Sequence, residues 1–272
     1  MYLPTFQKKA ENAAIFALKI AEKANANIIL FHSIENFQSV NVPESGSWMY
    51  EDYEVVKNES IAELKKLENY LTKYHKPGAF EPEISLLNDM GYDLGDNVSL
   101  LVKNKNIGLV IMGTKSDDTV SHVFSGSDAS SVLGHANCPV LFVPENCHFE
   151  DFKNIVFAND LKKDYTEAIS FLVELARLDN SHIVLTHFGD YTVKAFSCLK
   201  LIENELKFDN ISSRLLPMEK MDEQLRNFAA SAKADLIVLI HHKQDYLKNI
   251  VFGSDSKNIL KHNQLPVLIL PG

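Results

Sequence analysis

The chain carries the same sequence pattern twice, and this internal repeat restricts the fold more than any other feature. Residues 124–144 read FSGSDASSVLGHANCPVLFVP, and residues 251–271 read VFGSDSKNILKHNQLPVLILP. Both contain Gly-Ser-Asp, then a Leu, a His and a Pro, and both end in a short apolar segment closed by a second Pro. The pattern indicates one domain that is present in two copies.

The upstream segments repeat in the same order. IILFHS at 28–33 matches IVLTHF at 183–188, and GLVIMG at 108–113 matches DLIVLI at 235–240. Copy two is shorter in its middle, where copy one carries residues 41–76. The predicted divisions of the chain are copy one over 1–144, a linker over 145–153 and copy two over 154–272.

Segments with helical spacing alternate with short apolar segments along each copy. Ala10, Ala13, Ala14 and Ala17 follow the i, i+3, i+4, i+7 spacing of an amphipathic helix. In copy one the predicted helices are 10–21, 53–74, 94–105 and 128–135, and the predicted strands are 2–5, 27–34, 82–87, 107–112 and 139–143. Copy two is predicted to begin with a strand over 154–159 and a helix over 163–178. This alternation predicts an α/β fold with a parallel sheet wound on both faces.

The composition argues against several classes of protein. The formal net charge is −9, from 27 Lys and Arg against 36 Asp and Glu, which disfavours a nucleic-acid-binding surface. The three cysteines, Cys138, Cys147 and Cys198, are too scattered for a disulfide framework or a CxxC metal site. The first residues lack a signal-peptide pattern, and no apolar run approaches the roughly 20 residues that span a bilayer. We therefore expect a cytoplasmic protein with no nucleic-acid or membrane partner and no resident metal.

The segment that follows the strand 107–112 is the candidate for ligand binding, because open parallel sheets bind ligands beyond the carboxyl ends of their strands. It begins Gly113-Thr114-Lys115-Ser116 and ends Ser125-Gly126-Ser127, just before a predicted helix. Free N–H groups at a helix N-terminus can hold a phosphate. The alternative is that Ser127 only caps this helix and Gly126 only turns the chain.

No P-loop, dinucleotide-binding or hydrolase-elbow motif occurs in the sequence. His32 and His187 hold matching positions at strand ends, where each is either structural or part of a ligand cleft. Without an arranged nucleophile or general base, the sequence favours a binding role over catalysis.

The spacing Gly113-x2-Ser116-x9-Gly126-Ser127 resembles the signature G-x2-G-x9-G-[ST] of the universal stress protein family. Copy two keeps the same frame as Ile240-x2-Lys243-x9-Gly253-Ser254. The resemblance covers the chain twice. It implies two tandem five-stranded, doubly wound, Rossmann-like domains that pack as a pseudo-dimer, with the closing strands 139–143 and 266–270 near their interface.

The resemblance also implies a nucleotide site, since one branch of this family binds ATP. An Asp at the end of the first strand then contacts the adenine side, and the glycine loop wraps the phosphates. Copy one has Thr5 or Phe6 in place of this Asp, and copy two has Asp160 but Ile240 and Lys243 in place of the two loop glycines. The implied binding residues are Gly113, Thr114, Ser116, Ser125, Gly126 and Ser127 in copy one, and Asp160, Gly253 and Ser254 in copy two.

We therefore expect a stress-response binding and signalling protein that holds ATP or a related adenine nucleotide in copy one, with a degenerate site in copy two. Mg²⁺ is expected only together with the nucleotide. The two alternatives are a nucleotide-independent protein-interaction scaffold and, less favoured, an enzyme that hydrolyses ATP slowly. The two domains are expected to pair within the chain, while a homodimer and further protein partners are left open.

Overall fold

The computed structural model describes residues 8–34, 48–90, 93–114, 127–159, 166–189, 192–241 and 265–272. Helices and strands alternate along both copies. In copy one they are α1 (Lys8–Ala24), β1 (Ile28–Ile34), α2 (Trp48–Leu71), β2 (Ile84–Met90), α3 (Leu94–Lys105), β3 (Val110–Thr114), α4 (Ser127–His135) and β4 (Val140–Pro144). In copy two they are β5 (Asn154–Ala158), α5 (Thr166–Asp179), β6 (His182–Phe188), α6 (Val193–Leu206), β7 (Ile211–Leu216), α7 (Met221–Ser231), β8 (Leu236–His241) and β9 (Val267–Pro271).

The predicted helix over 94–105 is confirmed with the same bounds, because both of its ends carry local signals. The side chain of Asp93 caps the first turn, and Asn106 ends the helix in a left-handed conformation with φ 51°. The strand predicted over 107–112 is wrong in its bounds, since residues 107–109 lead out of the helix and pairing with β4 extends β3 to Thr114. The strand predicted over 2–5 lies outside the described residues.

Copy two forms a parallel sheet of five strands in the order β9-β8-β5-β6-β7. Its first strand, β5, lies in the middle and pairs with β6 on one side and β8 on the other. In copy one, β1 pairs in parallel with β2, and β3 pairs in parallel with β4. Among the described residues of copy one, no strand joins these two pairs in the way that β5 joins β6 and β8.

The closing strands of the two copies pair with each other. β4 and β9 run antiparallel, with Val140 opposite Ile269, Leu141 opposite Leu268 and Phe142 opposite Val267. This ladder joins β3 and β4 to the five strands of copy two, giving one seven-stranded sheet. The fold is therefore α/β, and the two copies pack as a pseudo-dimer.

Side chains of the strands alternate between two apolar cores, one on each face of the large sheet. Val140 and Phe142 of β4 face the first core, with α3, α4 and α7, and Leu141 and Val143 face the second, with α1, α5 and α6. Period-two alternation with both faces apolar is what a doubly wound sheet requires. Both cores continue from copy one into copy two through the β4–β9 ladder.

The segment predicted as a linker, 145–153, packs closely between the copies. The side-chain amide of Asn12 on α1 donates to the carbonyls of Pro144 and Cys147, at 2.7 and 2.6 Å. Phe149 stacks edge-on against Phe16 of α1 with ring centroids 5.0 Å apart, and Phe152 is 2% exposed in the second core. These contacts fix α1 at the junction of the two copies.

The C-terminal end of α1 is held to the chain that follows α2 by a buried carboxylate. Glu22 accepts hydrogen bonds from Lys19, from His75 and from the backbone N–H of Lys76, at 2.9–3.0 Å. Burial alone would raise the pKa of this carboxyl, but the hydrogen bonds from Lys76 and Lys19 outweigh it and lower the pKa. Glu22 is therefore ionised in the folded protein at neutral pH.

Candidate functional site

The candidate site lies at the carboxyl ends of the strands in copy one. β1 reaches this edge at Ile34, and β3 reaches it at Thr114. Beside β3, the backbone N–H of Glu145 donates to the carbonyl of Thr114 at 2.9 Å, just beyond the end of β4. After β3 the chain passes through 115–126 and enters α4 at Ser127. The predicted binding loop is thus bounded by a strand end and a helix start, which is the usual place of ligand sites in α/β folds.

Gly113 lies within β3 and not in the loop that the sequence predicted there. It and Thr114 belong to the strand because they pair with the last two residues of β4. A Cβ at Gly113 would lie 2.5 Å from the carbonyl carbon of Lys9, in the first turn of α1. The absence of a side chain therefore lets the backbone of α1 rest against the end of β3. Gly113 has this packing role whether or not a ligand binds.

Three of the predicted binding residues fall in the described part of the chain. Thr114 is 7% exposed at the end of β3, and Ser127 is the first residue of α4, one residue before the predicted helix start. The predicted binding residues that lie outside the described residues are Ser116, Ser125, Gly126, Asp160, Gly253 and Ser254.

The start of α3 is fixed against α4 by polar contacts. The carboxylate of Asp93 accepts hydrogen bonds from the hydroxyl of Ser131 and from the backbone N–H of Gly95, the latter at 3.0 Å. These two bonds lower the pKa of Asp93. A Cβ at Gly95 would lie 2.6 Å from Nδ1 of His135, so a glycine is needed for the two helices to approach this closely.

The sequence patterns did not indicate these α3–α4 contacts. Asp93 could have been found, since an Asp directly before a predicted helix is an N-cap signal. Ser131 carries no comparable local signal, because its partners come from a distant part of the sequence.

Neighbouring side chains at the end of β1 point to opposite faces. Nδ1 of His32 lies 2.8 Å from the hydroxyl of Ser60, which is buried on α2, and burial lowers the pKa of His32. Ser33 faces the other way and accepts a hydrogen bond at 3.1 Å from the side-chain amide of Asn97, on α3. The contact with Ser60 favours the structural interpretation of His32, whereas Ser33 and Asn97 are polar groups that the sequence did not indicate.

The model of the universal stress protein family matches this chain over residues 3–144 and 215–271, well over half of its length. The chain belongs to the universal stress protein family. A universal stress protein of Methanocaldococcus jannaschii is 29% identical over 133 residues, which are 48% of this chain and 72% of that protein. The two matched regions correspond to copy one and to the second part of copy two.

Solved structures share the fold of this universal stress protein over almost its whole length. A universal stress protein from Archaeoglobus fulgidus aligns with a TM-score of 0.61 and 13% identity, covering 99% of this chain and 93% of that one. A protein of unknown function from Pseudomonas aeruginosa PAO1 aligns with a TM-score of 0.51 and 14% identity, covering 92% and 94%. At such identities the likeness concerns the fold.

In this universal stress protein the equivalent edge of copy two is built differently. Ile240 holds the position that Gly113 has in copy one, and its buried side chain belongs to the second core, together with Phe157 and Leu270. Nδ1 of His187 lies 2.9 Å from the carbonyl oxygen of Asn159, which follows β5. Copy two therefore has the buried apolar side chain of Ile240 at the position where copy one has Gly113 packed against the backbone of α1.

Within the ranges that the structure describes, no group of three or more His, Cys, Asp or Glu could hold a metal ion. The three cysteines are unpaired, and burial raises the pKa of the Cys138 and Cys147 thiols to about 11. Among the same residues, no helix is both long and apolar enough to cross a membrane.

Proposed function

We propose that the protein is a ligand-binding and signalling universal stress protein that holds ATP or a related adenine nucleotide in copy one. The observation that carries this proposal is the placement of the predicted binding loop, which leaves β3 at Thr114 and enters α4 at Ser127. A loop of this kind brings backbone N–H groups and the positive end of a helix dipole to one edge of the sheet, which suits a phosphate. Mg²⁺ would bind together with the phosphates.

The second site is proposed to be degenerate. Ile240 replaces the first glycine of the signature and is packed in a core, so the strand end cannot present bare backbone there. Lys243 replaces the second glycine. We therefore expect each chain to bind one nucleotide. The protein would signal through the binding loop and the surface of copy one, and it would not hydrolyse its ligand.

We propose that residues 1–144 and 154–272 are two domains of one module, joined by 145–153. The antiparallel pairing of β4 with β9 supports it, since these are the last strands of the two domains. The three unpaired cysteines are consistent with a cytoplasmic location, where thiols stay reduced.

A thermal titration with ATP and Mg²⁺ tests the proposal. A ligand at 100 times its Kd stabilises the folded state by about 2.7 kcal/mol, which is easily detected. Gly126→Val should abolish the rise in melting temperature, because it places a branched side chain where the phosphate approaches. Gly253→Val, the matched change in copy two, should leave this rise unchanged. cAMP and dAMP, the ligands of two solved universal stress proteins, belong in the same panel.

Two results would count against this function. If no adenine nucleotide raises the melting temperature, the protein is the nucleotide-independent scaffold. If phosphate is released steadily by highly purified protein and the release stops in Gly126→Val, the protein is a slow ATP-hydrolysing enzyme.

A further inference from the structure

The apolar core beneath the candidate site ends in polar side chains. Phe31 of β1, Val98 of α3 and Met112 of β3 pack in the same core. Because side chains alternate along a strand, the residue two positions after Phe31 and the residue two positions after Met112 continue this face toward the carboxyl edge. These residues are Ser33 and Thr114. Asn97, next to Val98, completes the polar end of the core.

Among the residues that the structure describes, two of these polar groups are buried without a hydrogen-bond partner. Asn97 is 1% exposed, and no described donor contacts its side-chain oxygen Oδ1. Thr114 is 7% exposed, and its hydroxyl has no partner within the same described ranges. A buried polar atom left unpaired destabilises the folded state, and native proteins pair the large majority of such atoms. Two such atoms at the ligand-binding edge therefore point to a missing hydrogen-bonding group.

The contact with Ser33 determines which kind of group this is. The Nδ2 atom of Asn97 donates one hydrogen bond to the Ser33 hydroxyl at 3.1 Å, so the unpartnered oxygen Oδ1 lies on the other side of the carboxamide. A carboxamide oxygen accepts hydrogen bonds and cannot donate them. The missing group must therefore be a donor. A phosphate has no donor to offer at neutral pH, whereas the exocyclic amine of adenine has two.

We propose that Oδ1 of Asn97 accepts a hydrogen bond from the exocyclic amine of an adenine base and makes the site selective for 6-aminopurines over 6-oxopurines. This inference rests on the proposed nucleotide site in copy one. Hypoxanthine and guanine carry a carbonyl oxygen at the position of the amine, so their oxygen would face Oδ1 with no proton between them. The hydroxyl of Thr114 can donate or accept, so it contacts either class of base without discriminating.

The test compares the affinities for ATP and ITP, whose bases differ at the 6-position and at the adjacent N1, which carries a proton only in ITP. We expect the wild-type protein to bind ATP at least about tenfold more tightly than ITP, since a site built to hydrogen-bond a group rejects a ligand that lacks it. Asn97→Leu removes the acceptor and keeps a side chain of similar volume. It should weaken the binding of ATP alone and so bring the ratio of the ATP and ITP affinities close to one. Asn104→Leu, an exposed change on the same helix, should keep the wild-type ratio.

A second variant tests the orientation of the carboxamide. Ser33→Ala removes the group that holds Nδ2, so the amide can turn and present a donor to the carbonyl of ITP. We expect this variant to bind ITP more tightly than the wild type does. Circular dichroism of each variant establishes that it is folded before its ratio is used.

The outcomes separate this inference from the function on which it rests. Equal affinities for ATP and ITP in the wild type, or an unchanged ratio in Asn97→Leu, would overturn the role of Asn97 and leave the nucleotide site in place. If 2′-deoxy-ATP binds more weakly than ATP by as much as ITP does, Oδ1 contacts the ribose. That result would also overturn the role of Asn97 toward the base. Failure of every purine nucleotide to bind would overturn both proposals.

Discussion

Leu268→Ala is expected to destabilise the two copies together. Leu268 is fully buried in β9, opposite Leu141 of β4 and beside Val238 of β8. Paired strands lie on both sides of it and its side chain lies in the second core, so the surroundings cannot close over the lost methyl groups. We therefore expect a loss in the upper part of the usual range for Leu→Ala, about 3–5 kcal/mol.

Urea unfolding followed by far-UV circular dichroism measures this loss. With an m-value of about 3 kcal/mol/M, a loss of that size lowers the unfolding midpoint by about 1–1.7 M. Leu201→Ala, a change at a side chain that is 59% exposed on α6, is the control and should stay within about 0.5 kcal/mol of the wild type.

Amide hydrogen exchange decides whether the copies respond together. Both cores continue through the β4–β9 ladder, so Leu268→Ala should speed exchange in β3 of copy one as well as in β7 of copy two. Faster exchange in β7 with an unchanged rate in β3, or two separate unfolding transitions, would refute the reasoning and show that the copies unfold independently.

Three further predictions follow from particular contacts. Gly113→Ala should lower the free energy of unfolding by about 1–3 kcal/mol, because the added Cβ would clash with the backbone of Lys9. Gly108→Ala is the control and should be close to neutral, because a Cβ there would have no neighbour within 4 Å. Urea unfolding compares the two variants, and equal effects would contradict the packing role of Gly113. Glu22→Gln should destabilise at neutral pH. Because the pKa of Glu22 is lowered in the folded state, this difference should be full above its ordinary pKa of 4.5 and vanish as pH falls through the lowered value; a difference independent of pH between about 3 and 7 would contradict it. In the native state a thiol reagent near pH 8 should modify Cys198 well before Cys138 and Cys147, because burial keeps the thiols of those two cysteines protonated. Peptide mass analysis measures the modification of each cysteine, and equal modification of all three would refute this prediction.

Much of the fold could be predicted from the sequence because its signals are local or repeated. α3 has the bounds that were predicted, since Asp93 and Asn106 mark its two ends. The repeat and the motif together indicated two tandem domains joined near their closing strands, and β4 pairs with β9 as that arrangement requires. The bounds of β3 could not be predicted in the same way, because pairing with β4, and not local propensity, extends the strand to Thr114.

The candidate site was predictable only in part. Gly113 was noticed as a glycine of the binding motif, but the structure also gives it a packing role against Lys9, which lies far away in the sequence. The contact between Ser33 and Asn97 joins a strand to a helix that lies 64 residues further along the chain, and neither residue belongs to the binding motif. Contacts of this kind depend on tertiary packing, which no periodicity or spacing in the sequence reports.

Isothermal titration calorimetry of the purified full chain with ATP measures how many nucleotides each chain binds, and so tests whether copy one alone holds a nucleotide. Copy one keeps Gly113, Gly126 and Ser127, whereas Ile240 closes the equivalent strand end of copy two. We expect one nucleotide per chain, with binding lost in Gly126→Val and retained in Gly253→Val. Two nucleotides per chain, none, or binding that is lost only in Gly253→Val would contradict it.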